Sequence, residues 1–253
     1  VDGFAEMMNA KAKELGLENT SFTNPHGLDN ENHYTTAFYL AQLARYALKN
    51  PTFAEIVATK TKRLSSDEET ARSLRNHNKM LNLYEDADGV KTGFTKKSGR
   101  CLVSSATRDG LRLVAVTLNA PDDWDDHTEM LNYGFSKYRK KVFFNDGDYL
   151  KSVAVNGGKE KNISVYAKDS LEIAVTEDED KRLKAVYNIS ESVKAPVMIG
   201  QNLGKVDVYL DDKLLGSCNA VTKDGVEVFY KIKLTDKLTY LIYELLSNFQ
   251  NRF

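Results

Sequence analysis

The chain has 253 residues, long enough for roughly one to two domains and a sizeable buried core. Apolar residues make up 42% and charged residues 28%, with 35 basic side chains against 36 acidic ones. That balance excludes a low-complexity chain and argues against a nucleic-acid partner, which would need a basic excess. No apolar run approaches the ~18 residues that span a bilayer, and two cysteines, Cys101 and Cys218, exclude a disulfide scaffold.

The first elements are helical. Phe4, Met7, Met8 and Leu15 follow a helical period, which predicts a helix from about Asp2 to Leu15 with Gly16 ending it in a left-handed conformation. An opening inside a helix, without initiator Met or basic-then-apolar leader, reads as a fragment, a processed product or a trimmed chain. A polar loop follows from Asn19 to His33, broken by Pro25 and Gly27. Thr35 or Thr36 can cap a second helix with the stripe Leu40, Leu43, Ala44 and Ala47. Pro51 closes it and opens a short helix through Ile56.

Thr59 to Leu64 alternates and reads as a strand. Asp88 to Thr95 is punctuated by glycine and β-like, and the runs Leu102–Ala106 and Leu111–Leu118 flank Asp109-Gly110 as a hairpin. A helix is predicted from about Asp122 to Tyr138. From about residue 146 the texture changes to short alternating segments such as Val153–Val155, Val206–Leu210 and Val226–Ile232, with turns at Gly157-Gly158, Asp211-Asp212 and Asp224-Gly225. This predicts a small all-β sandwich over 147–235, after an α/β portion over 1–146. Leu238, Leu241, Ile242, Leu245, Leu246 and Phe249 then fall on one face of an amphipathic helix over 236–253.

One tripeptide carries chemistry. In Lys91-Thr92-Gly93 the ammonium attracts a carboxylate, the hydroxyl donates a hydrogen bond to it, and glycine lets a ligand backbone approach the strand. Alone, it fits equally well a lysine on an exposed strand edge. Its surroundings are ordered, however. Phe22-Thr23-Asn24-Pro25-His26-Gly27-Leu28, Tyr34-Thr35-Thr36-Ala37 and Asn76-His77-Asn78-Lys79-Met80-Leu81 precede it, and Ser98-Gly99-Arg100-Cys101 follows. This ordered set resembles the D-alanyl-D-alanine carboxypeptidases, the low-molecular-mass penicillin-binding proteins of peptidase family S11, across essentially the whole chain.

The resemblance implies a serine enzyme that removes the terminal D-alanine of peptidoglycan stem pentapeptides through an acyl-enzyme, binds β-lactams and needs no metal or other cofactor. It implies a truncated form of the β-lactamase-like peptidase fold, followed by the β-rich domain. It implies that Lys91 and Thr92 bind the terminal carboxylate, that Gly93 permits the approach, and that the Phe94 backbone N–H is an oxyanion-hole donor. It further implies that the tail helix meets a membrane surface, on the extracytoplasmic face of a bacterial cell membrane or in a secreted form.

The departure is large. No serine here has a lysine three residues later, so the family's nucleophile and general base are absent from 1–253. Ser217-Cys218-Asn219 has S-x-N spacing but follows K-T-G, the reverse of the family's order. The chain is therefore expected to be inert alone, with the opposite wall of the cleft in a missing N-terminal segment or a second chain. A non-catalytic scaffold module is the alternative, and a β-lactamase a weaker one, because the β-rich segment extends past residue 146. His26, His33, His77 and His127 show no zinc-binding spacing, which predicts no metal site. His26 reads as a loop-ordering residue, Asn78 as structural support and Cys101 as a small apolar residue.

Overall fold

The structure, a computed structural model, describes residues 1–65 and 71–229. The amphipathic helix expected over 236–253 lies outside the described residues. Contacts divide the chain into two units, one of Val1–Lys140 with Ala174–Glu177, the other of Lys141–Ile173 with Asp178 onward.

The first unit begins with α1 (Asp2–Glu14), which has Asp2 in its first turn and Lys11 and Lys13 in its last, matching the helix dipole. Gly16 adopts φ +71°, so that its N–H reaches Lys13 O at 3.0 Å and the Leu17 N–H reaches Ala12 O at 2.9 Å. These two bonds make a Schellman end, and buried Leu17 supplies its apolar contact. α2 (Ala37–Ala47) is capped by Thr36, whose hydroxyl accepts from the Tyr39 N–H. α3 (Pro51–Ala58) is capped by Asn50, with Pro51 in its first turn. The chain then forms the short antiparallel pair β1 (Thr61–Arg63) and β2 (Ser73–Arg75), and a single turn α4 (Met80–Leu83).

The centre of this unit is the antiparallel sheet β3 (Ala87–Thr95), β4 (Gly99–Arg108) and β5 (Leu111–Thr117), in that order. Asp109 and Gly110 both have positive φ, 50° and 75°, and make the two-residue turn from β4 to β5. α5 (Asp123–Lys137) packs on one face, where Leu102, Ala106 and Ala115 meet Leu131. On the other face Val90 and Val103 meet Ala44 of α2, Leu48 at its C-terminal cap, and Phe53 and Val57 of α3. The alternation along β4, Leu102 to one side and Val103 to the other, is what a strand covered on both faces requires.

Among the described residues the second unit is β apart from one turn of helix. The elements from here on are β6 (Arg139–Phe144), β7 (Tyr149–Asn156), β8 (Asn162–Ala167), β9 (Leu171–Val175), α6 (Glu177–Asp180), β10 (Leu183–Ile189), β11 (Ser192–Lys194), β12 (Asn202–Leu210) and β13 (Lys213–Thr222), with the first two residues of β6, the last two of β9 and Glu177 counted in the first unit. The expected sandwich is here one six-stranded sheet, ordered β10-β12-β13-β8-β7-β11, plus a two-stranded ribbon of β6 and β9. β11 runs parallel to β7, and the other pairs of the large sheet are antiparallel. Val153, Val165, Val206 and Ala220 are fully buried in its main core. The ribbon's Phe143, Phe144 and Leu171 pack with Ala167, Val208 and Cys218. Asp207, almost fully buried, is held below the usual carboxylate range by the Ser217 hydroxyl, with further bonds from Lys205 and Asn188.

His127 on α5 is wholly buried between two strands. Its Nδ1 lies 2.6 Å from Ser104 Oγ on β4 and its Nε2 lies 3.0 Å from Thr117 Oγ1 on β5. Burial strips water from an imidazolium and lowers its pKa to about 4, partly opposed by nearby Asp123. A depressed histidine pKa means that the unfolded chain binds the extra proton first. Stability is therefore full above pH ~6.5 and falls between ~6.5 and about 4, by about 3 kcal/mol over the window. Urea denaturation of the wild type and His127→Gln at pH 7 and pH 5 checks this. The wild type is expected to lose more stability between the two, and parallel losses would remove His127 as the cause.

Candidate active site

The K-T-G strand is the outer strand of its sheet. Lys91 pairs with Val103, Thr92 with Leu102, Gly93 with Cys101 and Phe94 with Arg100. Among the described residues β3 has a ladder on this side only. Its other edge is open over the motif, and Lys91, Gly93 and Phe94 are exposed. The Lys91 ammonium donates to the Thr92 carbonyl oxygen at 2.6 Å and makes no ion pair among the described residues. The 70% exposure of Phe94 is high for an aromatic ring. A Cβ placed on Gly93 would meet nothing nearer than Cys101 Cβ at 3.8 Å, an ordinary contact. Packing within the chain therefore does not require glycine at this position.

The start of the strand is fixed by polar side chains. Asp88 accepts from Ser105 Oγ at 2.5 Å, from Thr107 Oγ1 at 2.6 Å and from Arg112 Nε at 3.1 Å. Asn78, 1% exposed, donates from Nδ2 to Gly89 O at 2.9 Å, and its Oδ1 accepts from the Met80 N–H. Asn76 in turn accepts from the Asn78 N–H and donates to Thr59 O. Beyond the motif, Arg100 is bound to buried Asp123 through Nε at 3.1 Å and Nη2 at 2.5 Å, and lies over the Trp124 ring.

A cavity of about 330 Å³ opens beside Gly93 and Phe94, lined also by Phe22, His33, Tyr34, Cys101 and Leu118. The Cys101 thiol has only long contacts, to Ser98 O at 3.7 Å and Gly99 O at 4.0 Å, and no histidine partner. His26 accepts from the Leu28 N–H, and His33 from the Thr23 N–H, so both order the loop. His77 is exposed. Among the described residues no group of His, Cys, Asp and Glu can hold a metal ion. Ser217-Cys218-Asn219 lies on β13 of the second unit, where Ser217 donates to Asp207 and Cys218 is buried.

Residues 1–122 match the family model described as D-alanyl-D-alanine carboxypeptidase, and residues 138–228 match that of the penicillin-binding protein 5 C-terminal domain. The D-alanyl-D-alanine carboxypeptidase DacF of Bacillus subtilis is 32% identical over 228 residues, covering 88% of this chain and 59% of the relative. DacA of Haemophilus influenzae is 30% identical over 254 residues, covering 98% and 64%. The chain belongs to the D-alanyl-D-alanine carboxypeptidase family. Its fold agrees, since the crystal structure of penicillin-binding protein 5 from Haemophilus influenzae matches with a TM-score of 0.68 at 28% identity, over 88% of this chain and 66% of that one. The chain thus spans about three fifths of the length of the carboxypeptidases that it matches.

Sequence reasoning found the strand of this carboxypeptidase-family chain but not what holds it. Asp88 and the Ser105, Thr107 and Arg112 groups are 17 to 24 residues apart, and no local signal joins them. Asn78 was legible only as support, without its partner. Asn78→Ala is expected to leave the buried Gly89 carbonyl without a donor and to lower stability by about 1–3 kcal/mol. Chemical denaturation measures it, and an unchanged midpoint would show that water replaces the amide.

Proposed function

We propose that this chain supplies the carboxylate-binding wall of a penicillin-sensitive serine D-Ala-D-Ala carboxypeptidase that trims peptidoglycan stem peptides. The observation that carries the proposal is the open outer edge of β3, where an ammonium with no ion pair among the described residues, a hydroxyl and a glycine not required by packing follow one another. In this reading Lys91 and Thr92 bind the terminal carboxylate of the stem peptide or of a β-lactam. Gly93 leaves room for the substrate backbone beside the strand. The Phe94 N–H points its dipole at the developing oxyanion, a contribution typically of ~3 kcal/mol.

Acyl transfer also needs a nucleophilic hydroxyl with a positioned base. Residues 1–253 contain no Ser-x-x-Lys, so that pair has to come from another segment or chain. The same absence favours a second reading, a non-catalytic module that keeps the carboxylate-binding strand. A β-lactamase fits less well, because residues 138–228 after the peptidase part match a further domain model.

The test uses fluorescent penicillin and denaturing electrophoresis. The chain alone is expected to give no labelled band, and the chain joined to an upstream Ser-x-x-Lys segment is expected to give one. In the joined protein Lys91→Ala should slow acylation about 10- to 100-fold, the worth of one charge-assisted contact of ~1.5–3 kcal/mol. Label on the chain alone, or unchanged acylation in a folded Lys91→Ala protein, would overturn the assignment. If the nucleophile is supplied and no label forms, the scaffold reading stands.

The membrane reading of residues 236–253 rests on their sequence pattern, an apolar face at helical spacing with Tyr240 and Tyr243 nearby. It places the protein at the extracytoplasmic membrane surface. Liposome flotation of the whole chain against a form ending at Leu234 checks this. The whole chain is expected to float and the shortened one to remain below, and equal behaviour would remove the anchor.

A further inference from the structure

Asp29 belongs to no motif, and its partners lie 66 and 69 residues away. Its Oδ1 accepts from Thr95 Oγ1 at 2.8 Å and from Ser98 Oγ at 3.0 Å. Thr95 Oγ1 also accepts from the Ser98 N–H at 2.9 Å. One carboxylate oxygen thus binds the last residue of β3 and the residue just before β4. Thr95 directly follows Phe94.

The loop that presents Asp29 is itself fixed. Asn9 of α1 brackets the loop entrance, donating to Phe22 O at 2.8 Å and accepting from the Phe22 N–H at 2.7 Å. Ser21 and Tyr34 close the base with reciprocal backbone bonds of 2.8 and 3.0 Å. Inside, buried Asn24 accepts from the Gly27 N–H at 2.8 Å and donates to Leu28 O at 3.0 Å. Asp29 therefore extends from a segment whose backbone is tied on both sides.

We propose that Asp29 is a positioning residue for the carboxylate-binding strand, tying the end of β3 to the loop held by α1 and so fixing the Phe94 N–H. The proposal rests on the reading of β3 given above. Phe94 sits one residue from the end of β3, where the chain leaves the ladder for the short turn 96–98 into β4, and among the described residues no second strand supports its outer edge. An oxyanion donor has to be held within about 0.5 Å of its working place. Asp29 supplies the tie from outside the sheet. Its hydrogen bonds go to Thr95 and Ser98, so it acts through Thr95.

Two readouts test it with Asp29→Ala and Asp29→Asn. Hydrogen exchange is measured on this chain. Asp29→Ala is expected to speed exchange at the Ser98 amide, which donates to Thr95 Oγ1, by about 10-fold, the scale of a charge-assisted hydrogen bond, with Leu102–Ala106 and the thermal midpoint unchanged. Asp29→Asn, which keeps an acceptor oxygen, should fall between. Unchanged exchange at Ser98 overturns the proposal. So does a loss of protection spread through β4 and β5, which would make Asp29 a general structural residue. In the joined protein, Asp29→Ala should lower the acylation rate constant about 3- to 10-fold while the binding constant for penicillin stays put. A change in binding alone overturns the proposal. If Lys91→Ala leaves acylation unaffected, the functional reading of β3 falls, and the exchange data still decide whether Asp29 holds the strand.

Discussion

An outer strand bonded on one side only has to be held from its ends, and β3 is held so. At its start the Asp88 carboxylate gathers two hydroxyls and a guanidinium from β4 and β5, and Asn78 takes the carbonyl of Gly89. In the middle Val90 is anchored in the apolar layer under α2 and α3. At its far end Thr95 is caught by Asp29 and the turn to β4. Between these fastenings Lys91, Gly93 and Phe94 are exposed, and among the described residues no second strand lies beside them. Their backbone is set before any ligand arrives, which is what recognition through main-chain groups demands.

Local signals made much of the first unit legible. The end of α1 at Gly16, the Asn50-Pro51 start of α3, the Asp109-Gly110 turn and α5 each depend on a few adjacent residues. The K-T-G strand was legible because its residue types sit next to one another. What stayed hidden depends on register. Which residues of β4 lie beneath Asp88, and that Ser104 and Thr117 meet His127, follow from strand pairing that no single segment encodes. In the second unit, alternation marked the strands but carried no information about their neighbours. The parallel β11–β7 pair, inside an otherwise antiparallel sheet, could not be read from it. Ser217-x-Asn219 shows the opposite hazard. Its spacing is that of a catalytic element, yet Ser217 is engaged with buried Asp207.

The buried polar groups of the two units solve one problem in different ways. In the first unit half-buried Asp88 and buried Asp123 meet arginines that remain partly in water. Each guanidinium keeps much of its hydration while neutralising a carboxylate, which limits the desolvation cost that full burial of both would incur. In the second unit Asp207 relies on a hydroxyl, an amide and one lysine. Among the described residues no buried side-chain nitrogen or oxygen lacks a hydrogen-bond partner.

The ring of His127 has a consequence for how β4 and β5 can vary. A neutral imidazole carries a single N–H, so one of its two hydroxyl neighbours must give a proton while the other receives one. Ser104 and Thr117 are thus opposite in polarity, and the ring's tautomer decides which is which. Replacing Thr117 by valine would remove one end of this row and oblige Nδ1 and Ser104 to settle the direction between them. Positions 104, 117 and 127 are therefore coupled, because a change at one alters the hydrogen-bond direction open to the other two.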